Sequence, residues 1–94
     1  MTPLLFRQML DTLHEAQEPI RIEIEQLAQA PVDQATLLRL GETVRSFQEQ
    51  AHSLLVMMLY QHTPPDLVVE AEALVSFFGG VVGQIEAMLS APRG

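Results

Sequence analysis

Histidine is the residue type through which this chain could most readily do chemistry near neutral pH, and it occurs at His14, His52 and His62. Glu49 and His52 form a Glu-x-x-His pair, the spacing at which carboxylate-bridged di-iron bundles present metal ligands. Such a site needs two of these motifs and two further glutamates, whereas the chain has one motif. We therefore predict no metal or cofactor within one chain. The alternative is a metal or ligand site that forms when a dimer brings Glu49 and His52 of two chains together.

Other catalytic patterns are missing from the sequence. Four glutamates flank Pro19, namely Glu15, Glu18, Glu23 and Glu25. We interpret them as a solvated charged face rather than as a cation site. No serine lies in a nucleophile turn, and Gly79, Gly80 and Gly83 follow no predicted strand, so they form neither a dinucleotide-binding nor a phosphate-binding loop. We expect that the protein is not an enzyme.

The composition describes a small, acidic, folded domain. Of the 94 residues, 48% are hydrophobic and 18% are charged, which is too apolar for a disordered chain. Twelve acidic residues face five arginines and no lysine, which leaves a net charge of −7. Because a surface of this sign repels polyanions, we exclude nucleic acid as a partner.

Neither a signal peptide nor a membrane span is predicted. Residues 1–10 lack the basic region and the uninterrupted apolar run of a signal peptide. The most apolar stretch, residues 67–91, contains three glutamates, whereas a membrane span needs about 20 predominantly apolar residues with few charges. We expect a soluble core helix there and a cytoplasmic location, although the lack of cysteine does not itself identify the compartment.

Proline divides the chain into three segments of similar length. Because proline lacks an N–H and restrains the residue before it, Pro31 and Pro64-Pro65 predict helix ends. We predict helices over residues 3–29, 34–62 and 65–91. Together they form a single domain.

Each segment carries apolar residues at alternating steps of three and four, the pattern of helices that pack along a seam. The first segment has Phe6, Met9, Leu13, Ala16 and Ile20, continued by Ile24 and Leu27 after a slip of one residue. The second has Leu37, Leu40, Val44, Phe47, Ala51, Leu54 and Met58, and the third has Leu67, Ala71, Leu74, Phe78, Val81, Ile85 and Met88. Asp33 is placed to cap the second helix, and Pro65 suits the first position of the third.

The predicted fold is all-α, because short connections force neighbouring helices to run antiparallel. It is either an antiparallel three-helix bundle or a long helical hairpin plus a kinked N-terminal helix. Pro19 removes one backbone hydrogen bond inside the first helix, so we expect a kink or a break near residues 17–20. We expect dimerisation to complete a larger bundle.

One end of this bundle is more apolar than a core requires. In the antiparallel arrangement, the first and third helices begin where the second ends, and residues 54–60 are seven consecutive apolar or aromatic residues. Val56, Leu59 and Tyr60 fall off the seam, which buries only one stripe of the helix. Either the three helix ends cover these side chains by packing against one another, or a second chain covers them. We favour the second chain.

The third helix has a second face, made of small residues. It consists of Ala73, Ser76, Gly80, Gly83, Ala87 and Ser90. Small residues let another helix backbone approach closely. The alternative is a kink or loop at Gly79-Gly80, because glycine disfavours a helix interior.

These two features predict a non-enzymatic protein-interaction module. It would be a homodimer, an adaptor or a small chaperone-like subunit that holds a partner helix in a groove. The expected partner-binding residues are Leu55, Val56, Leu59, Tyr60, Val69, Ala73, Ser76, Gly80, Gly83 and Ala87.

Overall fold

The computed structural model describes residues 3–29 and 33–90, which form three α-helices. Helix α1 spans Pro3–Gln29, α2 spans Gln34–Tyr60 and α3 spans Pro65–Ser90. They pack into an elongated bundle with principal extents of 51, 19 and 18 Å. The predicted all-α three-helix bundle is therefore confirmed.

The core is a single cluster of hydrophobic side chains from all three helices, and no polar or charged side chain of the described residues is buried in it. The buried residues of α2 are Leu37, Leu40, Val44, Ala51, Leu54 and Met58, and those of α3 are Ala71, Leu74, Phe78, Val81 and Ile85. Phe47 is partly buried and stacks on Phe78 with ring centroids 5.6 Å apart. The predicted seams of α2 and α3 thus form the core.

The seam of α1 differs from the predicted one. Its buried residues are Phe6, Leu10, Leu13, Ile20 and Ile24. Leu10 is fully buried, whereas Met9 and Ala16 are only partly buried and pack at the edge of the core. The buried stripe takes a step of four from Phe6 to Leu10 and a step of three to Leu13, whereas the predicted stripe passed through Met9. The buried stripe is therefore rotated slightly around α1, and Met9 lies between α1 and α2.

Pro19 does not interrupt α1, which is one continuous helix from Pro3 to Gln29. Of the two alternatives predicted near residues 17–20, the break is excluded and the kink stays a prediction. Pro19 and Glu15 are both exposed, so water can hydrate the carbonyl group that loses its hydrogen bond. The helix continues because Ile20 and Ile24 beyond the proline are buried in the core.

Asp33 caps the N-terminus of α2 as predicted. Its carboxylate accepts hydrogen bonds from the backbone N–H of Ala35 at 3.2 Å and from the hydroxyl of Thr36 at 3.1 Å. An N-cap carboxylate satisfies a backbone donor that has no partner within the helix. Helix α3 begins at Pro65, also as predicted.

The C-terminus of α2 lies at Tyr60, two residues earlier than the predicted residue 62. His62 has a φ of 52°, a left-handed conformation that the α-helix does not allow. The N–H of Thr63 donates to the carbonyl of Met58 at 3.1 Å, which is the six-to-one hydrogen bond of a Schellman motif. The predicted helix 3 ended at residue 91, which lies outside the described residues.

Helix α3 is continuous through Gly79 and Gly80, so the alternative of a loop there is excluded. Helices α2 and α3 pack most closely in the bundle, and α1 packs less closely against each of them. A Cβ atom at Gly79 would lie 2.9 Å from Nε2 of Gln48, because α2 passes close by. A Cβ atom at Gly80 or Gly83 would meet nothing within 4 Å, so these two glycines face away from the bundle.

Candidate interaction surfaces

Exposed apolar side chains are concentrated at the bundle end where α1 and α3 begin and α2 ends. Eight large hydrophobic side chains of the described residues are exposed, and six belong to this apolar end: Leu4, Leu5, Val56, Leu59, Tyr60 and Val69. Tyr60 is 83% exposed and Val69 is 62% exposed. Packing of the helix ends against one another buries Phe6, Leu54 and Met58 but leaves these six side chains exposed. Burial against a second chain remains a prediction.

Leu55 differs from the other expected contact residues. It is partly buried and packs against the core of its own chain, so much of its side chain already has a neighbour. Leu4 and Leu5 are exposed, although they were not among the expected partner-binding residues. The three consecutive apolar residues at positions 4–6 could have indicated that Leu4 and Leu5 are exposed, because a helix buries only one stripe and Phe6 occupies it.

The small-residue face of α3 is exposed along its whole length. Its members are Ala73, Ser76, Gly80, Gly83, Ala87 and Ser90, all of which are exposed. Val69 lies four residues before Ala73 and so continues this face into the apolar end. Beside the face, a groove of about 420 Å³ separates α3 from α1, and Phe77 and Ile24 are among the residues that line it.

The charge on α3 is uniformly negative. Its described residues include Asp66, Glu70, Glu72 and Glu86 and no cationic side chain. Arg7 of α1 pairs with Glu70, and Arg45 of α2 pairs with Glu86 at 2.7 Å. Glu72 has no ion pair with a described residue and remains beside the exposed face. The small-residue face therefore lies beside negative charge that no described cation neutralises.

A polar cluster joins α1 to α3 next to the apolar end. The Arg7 guanidinium donates to both carboxylate oxygens of Glu70, at 2.5 and 2.7 Å, and also to Asp11 at 2.8 Å. His14 Nε2 lies 3.2 Å from Glu70 Oε1 on the other side. Hydrogen bonds from Arg7 lower the pKa of Glu70 below its ordinary value, against the opposing effect of its partial burial. The sequence did not indicate this cluster, because Arg7 and Glu70 are 63 residues apart.

Glu49 and His52 are both exposed on α2. No group of three or more potential metal ligands occurs in the part of the chain that the structure describes. A metal site at this pair would therefore need ligands from a second chain, as the sequence already indicated. His14 belongs to the Arg7 cluster, and His62 forms the turn after α2.

Helix α3 is long and apolar enough to cross a membrane, with a mean hydropathy of 1.4 over its most apolar 18 residues. Core helices of soluble proteins have the same length and composition. In the bundle, 28% of that window is buried, and its inner side chains Leu74, Phe78 and Val81 belong to the core. Much of the remaining, unburied part of the window lies on the exposed small-residue face of α3.

These surfaces offer three kinds of contact to a partner. The apolar end offers hydrophobic burial, the small-residue face offers close backbone approach, and the acidic side chains beside them offer charge. No match to this chain was found among protein-family models, curated proteins or solved structures.

Proposed function

We propose that this chain is a non-enzymatic protein-interaction module, an adaptor or small chaperone-like subunit, which holds a helix along the small-residue face of α3. The observation that carries the proposal is the continuity between this face and the apolar end through Val69. A helix on the face would reach exposed apolar side chains at one end of its path. The partner helix is supplied by another protein or by a second copy of the chain.

The physical basis of the proposal is unused contact surface. Full burial of a side chain of the size of Val69 or Leu59 contributes roughly 1.5–3 kcal/mol, and association must first offset the lost freedom of the partners. Gly80 and Gly83 add no apolar area, but they remove the Cβ atoms that keep helix axes apart. Helix-in-groove recognition combines these two contributions.

Glycine substitutions test the face directly. Gly80→Leu and Gly83→Leu should weaken association with the partner at least roughly tenfold, because a large side chain blocks close approach. Helicity and stability should be kept, since a Cβ atom at either position meets nothing within 4 Å and leucine is a better helix former. Circular dichroism, light scattering and quantitative co-purification measure these effects.

Gly80→Ala is the matched control, because alanine is still small and should retain association. The proposal fails if Gly80→Leu associates like the unchanged chain. It also fails if the chain is monomeric at high micromolar concentration and no protein co-purifies with it.

A further inference from the structure

A long groove runs between α1 and α2, and no residue of α3 lines it. It consists of two successive depressions of about 470 and 340 Å³. The first is lined from Met9 to Leu13 on α1 and the second from Ala16 to Glu23. From Met9 to Glu23 the groove is about 21 Å long at 1.5 Å per residue, which matches about four turns of a helix. This α1–α2 groove is separate from the small-residue face of α3.

The groove has an apolar floor and low walls. The floor contains four buried side chains, namely Leu13, Ile20, Leu40 and Leu54, and three partly buried ones, namely Met9, Phe47 and Met57. The walls combine short side chains, namely Thr12, Ser46, Ser53, Thr36 and Thr43, with the longer side chains of Glu23, Arg39, Glu49 and Gln50. The short side chains allow a helix backbone to come near the floor. The two methionines adapt their shape to different apolar side chains.

The shift of the α1 seam explains why the groove exists. Because Leu10 rather than Met9 is fully buried, the line of closest packing on α1 turns away from α2 at this edge. Met9 and Ala16 are left partly exposed in the groove. Helix α1 packs less closely against α2 than α3 does, which leaves space for the groove.

The charges along the groove indicate which partner fits it. Glu49 lines one half and Glu23 the other. Arg39 is the opposing cation, and it makes no ion pair with a described residue. A second copy brings a net charge of −7 and no lysine toward these glutamates, so copies of this chain repel one another here.

We propose that the α1–α2 groove binds an amphipathic helix of another protein, with lysine or arginine on both sides of its apolar stripe. The apolar stripe contacts Leu13, Phe47 and Leu54 on the floor. The flanking cations face Glu23 and Glu49, and an acidic residue of the partner helix fits opposite Arg39. This site goes beyond the function proposed above, because it uses a different part of the surface.

Binding of a designed peptide to the full chain tests this site. The probe is a fluorescein-labelled helix of about 18 residues, long enough for the groove, with leucines on one stripe and lysines on both sides. Fluorescence anisotropy at low salt should detect binding. The same peptide with glutamate in place of lysine should bind at least roughly tenfold more weakly.

Substitutions of serine locate the binding site. Ser53→Trp places a large side chain on the exposed wall and should weaken binding at least roughly tenfold. Ser46→Trp, on the same wall, repeats the test if the first variant loses helicity. Ser76→Trp instead fills the small-residue face of α3 and should change the dissociation constant less than about twofold.

Four outcomes would overturn the proposal. In the first, the peptide fails to bind the unchanged chain. In the second, it binds Ser53→Trp and Ser46→Trp as tightly as the unchanged chain. In the third, Ser76→Trp weakens peptide binding as much as Ser53→Trp does. In the fourth, the unchanged chain is a dimer that Ser53→Trp converts to a monomer, which would make a second copy the occupant. The Gly80→Leu experiment tests the α3 face and the peptide tests the groove, so each proposal fails on its own result.

Discussion

At the scale of single residues, the contact between Arg7 and Glu70 is the main polar link between α1 and α3. Both oxygens of the Glu70 carboxylate accept hydrogen bonds from the guanidinium, a fork geometry that lysine cannot reproduce. Both side chains are partly exposed, so water screens much of the attraction. We infer that the pair fixes the position of α1 more than it stabilises the fold.

Replacement of Glu70 by glutamine tests this contact through its pH dependence. Because Arg7 lowers the pKa of Glu70 in the folded state, the carboxylate stabilises the fold above the ordinary pKa of about 4.5. That contribution is lost as the pH falls through the lowered pKa. Glu70→Gln should therefore lower the urea midpoint at pH 7 by roughly 0.1–0.5 M, and the difference should shrink as the pH falls below the ordinary pKa.

Glu72→Gln is the matched control for this experiment. Glu72 is exposed on the same helix and has no ion pair with a described residue, so its replacement should change little at either pH. An equal effect of the two substitutions would show that the Arg7 contact contributes nothing specific.

At the scale of the helices, the turn after α2 contains a residue in a conformation that suits glycine better. His62 has a φ of 52°, and left-handed backbone costs roughly 1 kcal/mol for a residue with a Cβ atom. His62→Gly should therefore raise the free energy of unfolding by about this amount. His52→Gly, in the interior of α2, should lower it by about 0.3–0.5 kcal/mol. Urea denaturation followed by circular dichroism measures both, and a loss of stability in His62→Gly would contradict the role assigned to the turn.

The seams of α2 and α3 could be predicted because apolar periodicity alone defines one buried stripe on each helix. Asp33 and Pro65 gave correct helix starts, because capping chemistry is local. The end of α2 was not predictable, since the left-handed conformation of His62 follows from how the chain turns toward α3. The sequence left a kink and a break at Pro19 as alternatives, because the core contacts of Ile20 and Ile24 that keep the helix continuous cannot be weighed from one helix.

The contact surfaces were predictable only in part. Val56, Leu59 and Tyr60 could be assigned to the surface because they fall off the seam. The α1–α2 groove could not, because either Met9 or Leu10 continues the apolar period of α1. Which of the two is buried depends on how α1 meets both neighbours, and this is information that a single helix does not contain.

At the scale of the whole molecule, the two proposed binding surfaces share no lining residue. One lies on the outer side of α3 and the other between α1 and α2, so two segments could occupy them at the same time. Binding of both segments from one partner would raise affinity through a high effective concentration, without any new contact. The net charge of −7 favours a basic partner at both surfaces.

Self-association through the small-residue face is expected to depend on salt. Two copies of α3 would bring Glu72 residues and a net charge of −7 each into proximity without a lysine to compensate. If homodimers form, raising the salt from about 0.05 to 0.5 M should strengthen them, because the Debye length shortens and screens the repulsion. Sedimentation equilibrium measures the dimer constant, and dimers that weaken in salt would show that ion pairs between the chains hold them.

The looser packing of α1 determines which part of the protein unfolds locally first. Cooperative units of local unfolding follow the contacts that hold them, and α2 and α3 pack most closely in the bundle. Backbone amides of α1 should therefore exchange with deuterium faster than those in the middle of α2 and α3. Exchange at equal rates in all three helices would mean that the bundle opens only as a whole. If α1 does open first, the α2–α3 hairpin briefly exposes the core residues that α1 covered, and the protein then has a high-energy state in which a partner helix can take the place of its own.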